Sequence, residues 1–161
     1  MNERDEYFMK RALELAGMAA DLGEVPVGAV VVMDGKIISE AYNRRETDKN
    51  ALYHAETIAI DAACKKLGGW RLHQCELYVT LEPCPMCAGA IINSRIKRVI
   101  IGARDSKAGC FGSLVNLNFY PFNHKPEIIF GVCEREAVGL LQIFFKNLRK
   151  LRSKGKNTNK C

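Results

Sequence analysis

A chain of 161 residues can bury one good hydrophobic core and is too short for two ordinary domains. Nearly half of its residues are apolar and about a quarter are charged, which excludes a disordered or fibrous chain, and no apolar run approaches the length of a membrane span. The net charge of +6 is concentrated: from Lys146 onward come Arg149, Lys150, Arg152, Lys154, Lys156 and Lys160 with no acidic residue among them, a stretch that would either follow phosphates or solubilise the chain end.

The opening residues Asn2, Glu3, Arg4, Asp5 and Glu6 are the opposite of a signal peptide's basic, apolar start, and seven cysteines are an odd number for a secreted disulfide framework. Both features predict a cytoplasmic protein. Phe8, Ala12, Leu15, Ala16 and Ala19 recur at helical spacing and predict an amphipathic first helix. Residues 27–33 and 36–42 read as strands joined by Asp34-Gly35, the pair favoured in a two-residue hairpin turn. Ala55, Ala59, Ala62 and Ala63 mark a second helix that ends near Gly68-Gly69. A third strand over 76–81 leads to a helix from Pro85. Short strands follow at 98–102 and 127–131, and Ala137, Leu140, Leu141, Phe144, Leu148 and Leu151 predict a long final helix. A helical crossover between the third and fourth strands requires them to be parallel. The expected fold is α/β, a three-layer α/β/α arrangement around a five-stranded mixed sheet. One domain should cover residues 1–152, with a basic, disordered tail over 153–161.

Two short segments carry the chemistry. His54-Ala55-Glu56 stands at the start of the second helix, and Pro83-Cys84-Pro85-Met86-Cys87 at the junction of the third strand and third helix. Cysteines three apart at a helix start share a face and can reach one ion, and Pro85 suits the first helical position because the N–H it lacks has no partner there. With His54 as third ligand, two thiolates balance the charge of Zn²⁺ and one coordination position stays open, which is the pattern of a catalytic zinc rather than a structural one. Glu56 is two residues from His54, about 200° away on a uniform helix, so the two share a target only if both sit in the first turn. There a carboxylate would move protons between water and substrate. Taken singly, an H-x-E is commonplace, and a C-x-x-C also suits a redox pair or half of a structural zinc site. Their joint occurrence at two helix starts is far more specific.

Together with the H-x-E and P-C-x-x-C pair, the segments Glu24-Val25-Pro26-Val27-Gly28-Ala29-Val30, Asn43-Arg44, Leu77-Tyr78-Val79-Thr80-Leu81-Glu82, Gly102-Ala103-Arg104-Asp105, Gly112-Ser113-Leu114 and Phe144-Phe145 give the chain a resemblance. It resembles the cytidine-deaminase-like zinc superfamily and, within it, the bacterial tRNA-specific adenosine deaminases, from the first helix to Arg149. The resemblance implies a zinc-dependent deaminase domain over 1–152. It also implies hydrolysis of adenosine to inosine at the wobble position of the anticodon stem-loop of an arginine tRNA, by a homodimer whose sites border the other subunit. Carried over, the zinc ligands are His54, Cys84 and Cys87, one ion per subunit, and the proton shuttle is Glu56. Asn43 and Val27 match residues of the base pocket. Asp105, Lys107, Phe145 and Arg149 match positions close to the RNA. Read without the resemblance, Asn43 is a turn residue, Asp105 a cap, Lys107 a solvated lysine and Phe145 a core aromatic, with Phe144 or Phe145 required to pack inward.

Cys64, Cys75, Cys110 and Cys133 read as small buried hydrophobes, and Cys161 has no ligand partner. Trp70 and Arg71 read either as a nucleic-acid surface or as a loop anchored to the core by its tryptophan. Two other functions share the motif. A deaminase of free bases or nucleotides would use the same zinc site, but has no use for the basic final helix. A zinc-retaining assembly subunit would have no use for Glu56.

Overall fold

In the computed structural model, which describes residues 2–157, the hairpin over Asp34-Gly35 forms one edge of the sheet. Strand β1 (Gly28–Met33) pairs antiparallel with β2 (Lys36–Tyr42), and both turn residues take the positive φ that a two-residue turn of this kind needs, 50° at Asp34 and 73° at Gly35. β3 (Cys75–Leu81) pairs antiparallel with β1 on its other side. β4 (Arg98–Ala103) and β5 (Glu127–Phe130) add parallel strands, giving the order β2-β1-β3-β4-β5. The five-stranded mixed sheet is the one expected.

Alternation along β1 divides the core into two layers, because successive side chains point to opposite faces. Val30 and Val32 join Tyr78 and Ile100 beneath α1 (Glu3–Asp21), which contributes Phe8, Met9, Ala12 and Leu15. Ala29 and Val31 join Leu77, Val79, Val99 and Ile101 on the opposite face, beneath α2 (Ala55–Leu67) and α3 (Pro85–Ser94). Gly28 permits the close seat of α1 on β1: a Cβ there would stand 2.0 Å from the Ala12 carbonyl oxygen. Near the far end of β3 a polar network is enclosed. The Tyr78 hydroxyl donates to Asp5 at 2.7 Å and to Glu76 at 3.0 Å, while Arg98 pairs with Glu76 at 2.9 Å.

Helix α4 (Glu134–Asn157) corrects the expected boundary. It continues five residues beyond Arg152, so 153–157 are helical rather than a disordered tail; residues 158–161 lie outside the described ones. Nothing in Ser153-Lys154 breaks a helix, and 24 residues extend about 36 Å, well beyond the length of a six-residue strand. Among the described residues no helix is long and apolar enough to cross a membrane.

Candidate active site

Parallel packing of α2 and α3 on one face brings two helix N-termini to the same end of the sheet. His54 is the N-cap of α2 and Cys84 the N-cap of α3; both have extended backbone (φ −80°, ψ 153° and φ −72°, ψ 174°), and neither side chain caps its own helix. Their side chains turn towards each other instead. His54 Nδ1 lies 3.7 Å from the Cys84 Sγ and 3.6 Å from the Cys87 Sγ, and the three donor atoms fall within 4.8 Å of one another. Zinc bonds of about 2.0 Å to nitrogen and 2.3 Å to sulfur, set at a tetrahedral angle, place N and S about 3.5 Å apart. The donor set therefore fits zinc in both chemistry and spacing. Cys87 is fully buried beneath the site, and Pro85 occupies the first turn as expected.

The non-helical backbone of His54 removes the 200° difficulty, since the two residues do not share a uniform helix. Glu56 is 4% exposed and lines the cavity, and its Oε2 has no hydrogen-bond partner, an orphaned acceptor. Burial pushes the Glu56 carboxyl up to about 7, which is the range of a group that both accepts and returns a proton at neutral pH. The neighbouring Cys87 thiol, helped by the His54 ring, holds Cys84 down to about 4, favouring the thiolate that ligation requires.

A cavity of about 520 Å³ opens over these groups, lined by His54, Glu56 and Cys84 together with Val27, Asn43, Asp105 and Phe145. Four of the six residues carried over as RNA or base contacts thus converge here. Lys107 and Arg149 do not. They line an adjoining cavity of about 410 Å³ with Arg104 and Gln142, and Phe145 forms part of both walls. Of the two rings Phe144 is the more buried, while Phe145 is 40% exposed and is no core aromatic; they meet edge to face at 5.3 Å, and both border the main cavity. Asn43 is no ordinary turn residue. Its Oδ1 accepts the Ala55 N–H at 2.9 Å and so caps α2 from another segment. Asp105 caps a turn rather than a helix, its Oδ1 accepting from the backbone N–H of Lys107 and Ala108.

Sequence reading missed the carboxylates that hold the cavity walls. Glu82, 2% exposed, accepts the backbone N–H groups of Asp105, Phe111 and Ser113 at 3.0–3.1 Å and the Ser113 hydroxyl, and so ties residues 105–113 to the strand end just before Cys84. Glu24, equally buried, accepts from the N–H and hydroxyl of Thr47 at 2.6 and 2.8 Å and fixes the loop after Asn43. A charged residue closing the apolar run 77–81 was the available signal for Glu82. Arg45, Leu148 and Arg152 also line the cavity and were not singled out for it. Of the remaining cysteines, Cys75 and Cys110 are buried as expected, whereas Cys64 and Cys133 are half-buried.

A mixed five-stranded sheet with a histidine and two cysteines gathered at converging helix starts is the architecture of a zinc-binding nucleobase deaminase. Residues 2–103 match the family described as the cytidine and deoxycytidylate deaminase zinc-binding region. The chain is 53% identical over 148 residues to the tRNA-specific adenosine deaminase of Bacillus subtilis (91% of this chain, 92% of the relative) and 48% identical over 145 residues to that of Aquifex aeolicus (89% and 95%). A solved structure from work on A-to-I editing by tRNA:A34 deaminases superposes with a TM-score of 0.82 at 43% identity, covering 84% of this chain and 99% of the other. The chain belongs to the tRNA-specific adenosine deaminase family.

Proposed function

We propose that the protein hydrolyses the exocyclic amine of adenosine at the wobble position of a tRNA anticodon loop, giving inosine and ammonia, and that it acts as a cytoplasmic homodimer on an arginine tRNA. The observation that carries this reading is the orphaned, buried Glu56 carboxylate beside a zinc-compatible donor set on the floor of an open cavity. When bound, zinc supplies the Lewis acidity that brings a water molecule's pKa near neutrality. His54, Cys84 and Cys87 would hold it from one side. Glu56 takes a proton from the attacking water and delivers it to purine N1 as the oxygen bonds C6, then carries the remaining hydroxyl proton to the exocyclic amine, which leaves as ammonia as the C6–N bond breaks and the 6-oxo group forms. Asn43 presents its amide N–H₂ to the base, since its carbonyl oxygen is engaged by Ala55. Val27 and Phe145 supply apolar walls, and Asp105 stands at the rim. Lys107 and Arg149, in the adjoining cavity, suit the phosphates of neighbouring nucleotides.

Supporting a dimer, the outer side of α3 carries Met86, Gly89 and Ala90, none of them fully buried, and Gly89 faces open space. The free cysteines among the described residues agree with a reducing compartment. Sequencing tRNA from cells with and without the protein tests the function: adenosine read as guanosine at the wobble position must disappear with the gene. Activity of purified protein on free guanine, cytidine or adenosine that matched its activity on an anticodon stem-loop would place the enzyme among the free-base deaminases instead.

A further inference from the structure

The end of the sheet opposite the zinc site carries Trp70, which the structure leaves 51% exposed instead of anchoring its loop to the core. The Arg71 guanidinium lies 4.1 Å from the centre of the indole, and that of Arg95 lies 5.8 Å away. Two backbone contacts knit the segments that present them, Leu72 N–H to the Ser94 carbonyl at 2.6 Å and Lys97 N–H to the Cys75 carbonyl at 3.0 Å. Residues 65–75 and 95–98 contain Lys65, Lys66, Arg71, Arg95, Lys97 and Arg98 and no acidic residue. Lys65 and Arg98 are ion-paired, with Asp61 and Glu76; among the described residues Lys66, Arg71, Arg95 and Lys97 have no carboxylate partner. The acids that border the surface are Asp34 in the hairpin turn, close to Cys75, and Asp61, Glu76 and Glu127, which are ion-paired with Lys65 or Arg98.

We propose that this pole is a second RNA-binding surface that grips the phosphate backbone of the tRNA away from the deaminated base. The proposal rests on the tRNA substrate proposed above. Charge complementarity chooses the partner: four unpaired cations with an aromatic among them match a polyanion. Stacking on Trp70 restrains the two guanidiniums, so less side-chain entropy is lost when their N–H groups meet phosphate oxygens. Arg95 is further fixed by donating to the Ile92 carbonyl at 2.8 Å, at the C-terminal cap of α3. β3 separates the two ends by roughly 20 Å, so one RNA reaches both only if a helical stem extends from the loop held at the zinc site.

Trp70 is the sole tryptophan, so its own emission reports on this surface. Titrating zinc-loaded protein with unmodified full-length tRNA should quench Trp70 fluorescence, with the same Kd that labelled tRNA gives by anisotropy. The Arg71→Gln/Lys97→Gln double variant removes two of the unpaired cations and retains Trp70 and Arg95. Its Kd should rise about tenfold and the slope of log K against log salt should fall by roughly one to two. Lys10→Gln, on the exposed side of α1, should change neither. Binding by anisotropy without a change in Trp70 emission overturns the proposal, as does a double variant no weaker than Lys10→Gln. So does a Trp70 emission that shifts on dilution without RNA, which would make the pole a protein interface. Deamination is scored separately: a protein that binds tRNA through this pole yet edits no adenosine refutes the catalytic reading and leaves the surface standing.

Discussion

The side-chain oxygen of Asn43 accepts the Ala55 N–H at 2.9 Å, so a residue that lines the cavity also closes the start of the helix whose N-cap is His54. Its two ends are separable. Asn43→Ala should lose about 1 kcal/mol of stability with the missing cap, and activity as well. Asn43→Asp keeps the acceptor and loses the amide donor. Its melting temperature should therefore stay near wild type while kcat/KM on an anticodon stem-loop falls at least as far as in the alanine variant. An aspartate variant that both melts and edits like wild type would show that Asn43 is a cap alone.

Metal content should separate ligands from the proton shuttle. Cys84→Ala and Cys87→Ala are expected to lose the one equivalent of zinc measured in the purified wild type. Glu56→Gln should keep its zinc and lose two to four orders of magnitude in rate. A Glu56→Gln protein purified without metal would make Glu56 a ligand and leave the chain without its shuttle.

Glu82 and Gly109 form a matched pair. A Cβ on Gly109 would meet the Glu82 carboxyl carbon at 2.4 Å, so the carboxylate fills the space that a side chain would need. Three of the four hydrogen bonds to Glu82 come from backbone N–H groups, which only donate, so in Glu82→Gln whichever side the new N–H₂ takes it faces at least one N–H and leaves it unpaired. A loss of about 2–3 kcal/mol is expected, with faster proteolysis or hydrogen exchange confined to 105–113. Because that segment carries Asp105 and Lys107, KM for RNA should rise more than kcat falls. Normal exchange protection in Glu82→Gln would show that the loop does not depend on this anchor.

Acid stability should depend on Glu76. Burial raises its pKa, but hydrogen bonds from Arg98 and Tyr78 and the charges of Arg4 and Arg98 outweigh burial and hold it below its ordinary value of 4.5. A depressed folded-state pKa gives stability that is fully present above the unfolded value and is lost as pH falls through the folded one. The difference in melting temperature between wild type and Glu76→Gln should thus be constant near neutrality and shrink below about pH 4.5. Melting curves between pH 3 and 7 provide the measurement; a difference independent of pH would mean that the network does not need the carboxylate's charge.

What the sequence by itself determined is local. The Asp34-Gly35 turn, the period-two strands, the helical stripe of α1 and the two helix starts with their ligands were legible because each depends on residues a few positions apart. The H-x-E and P-C-x-x-C pieces named the zinc donors for the same reason. Tertiary structure alone decided what joins distant segments. It set His54 within 3.7 Å of Cys84, thirty positions away, because α2 and α3 pack on one face with their N-termini at the same end. It turned Asn43 from a turn residue into a helix cap and made Glu82 the anchor of a loop more than twenty residues downstream. Packing also divided the expected RNA contacts, placing Phe145 in both cavities and Lys107 and Arg149 in only one. It left Trp70 half in solvent, where a tryptophan in a loop read either as a core anchor or as part of a surface. Periodicity shows which face of an element is apolar, but not which other element covers it; strand order and helix packing fix that partner only once the whole chain has folded.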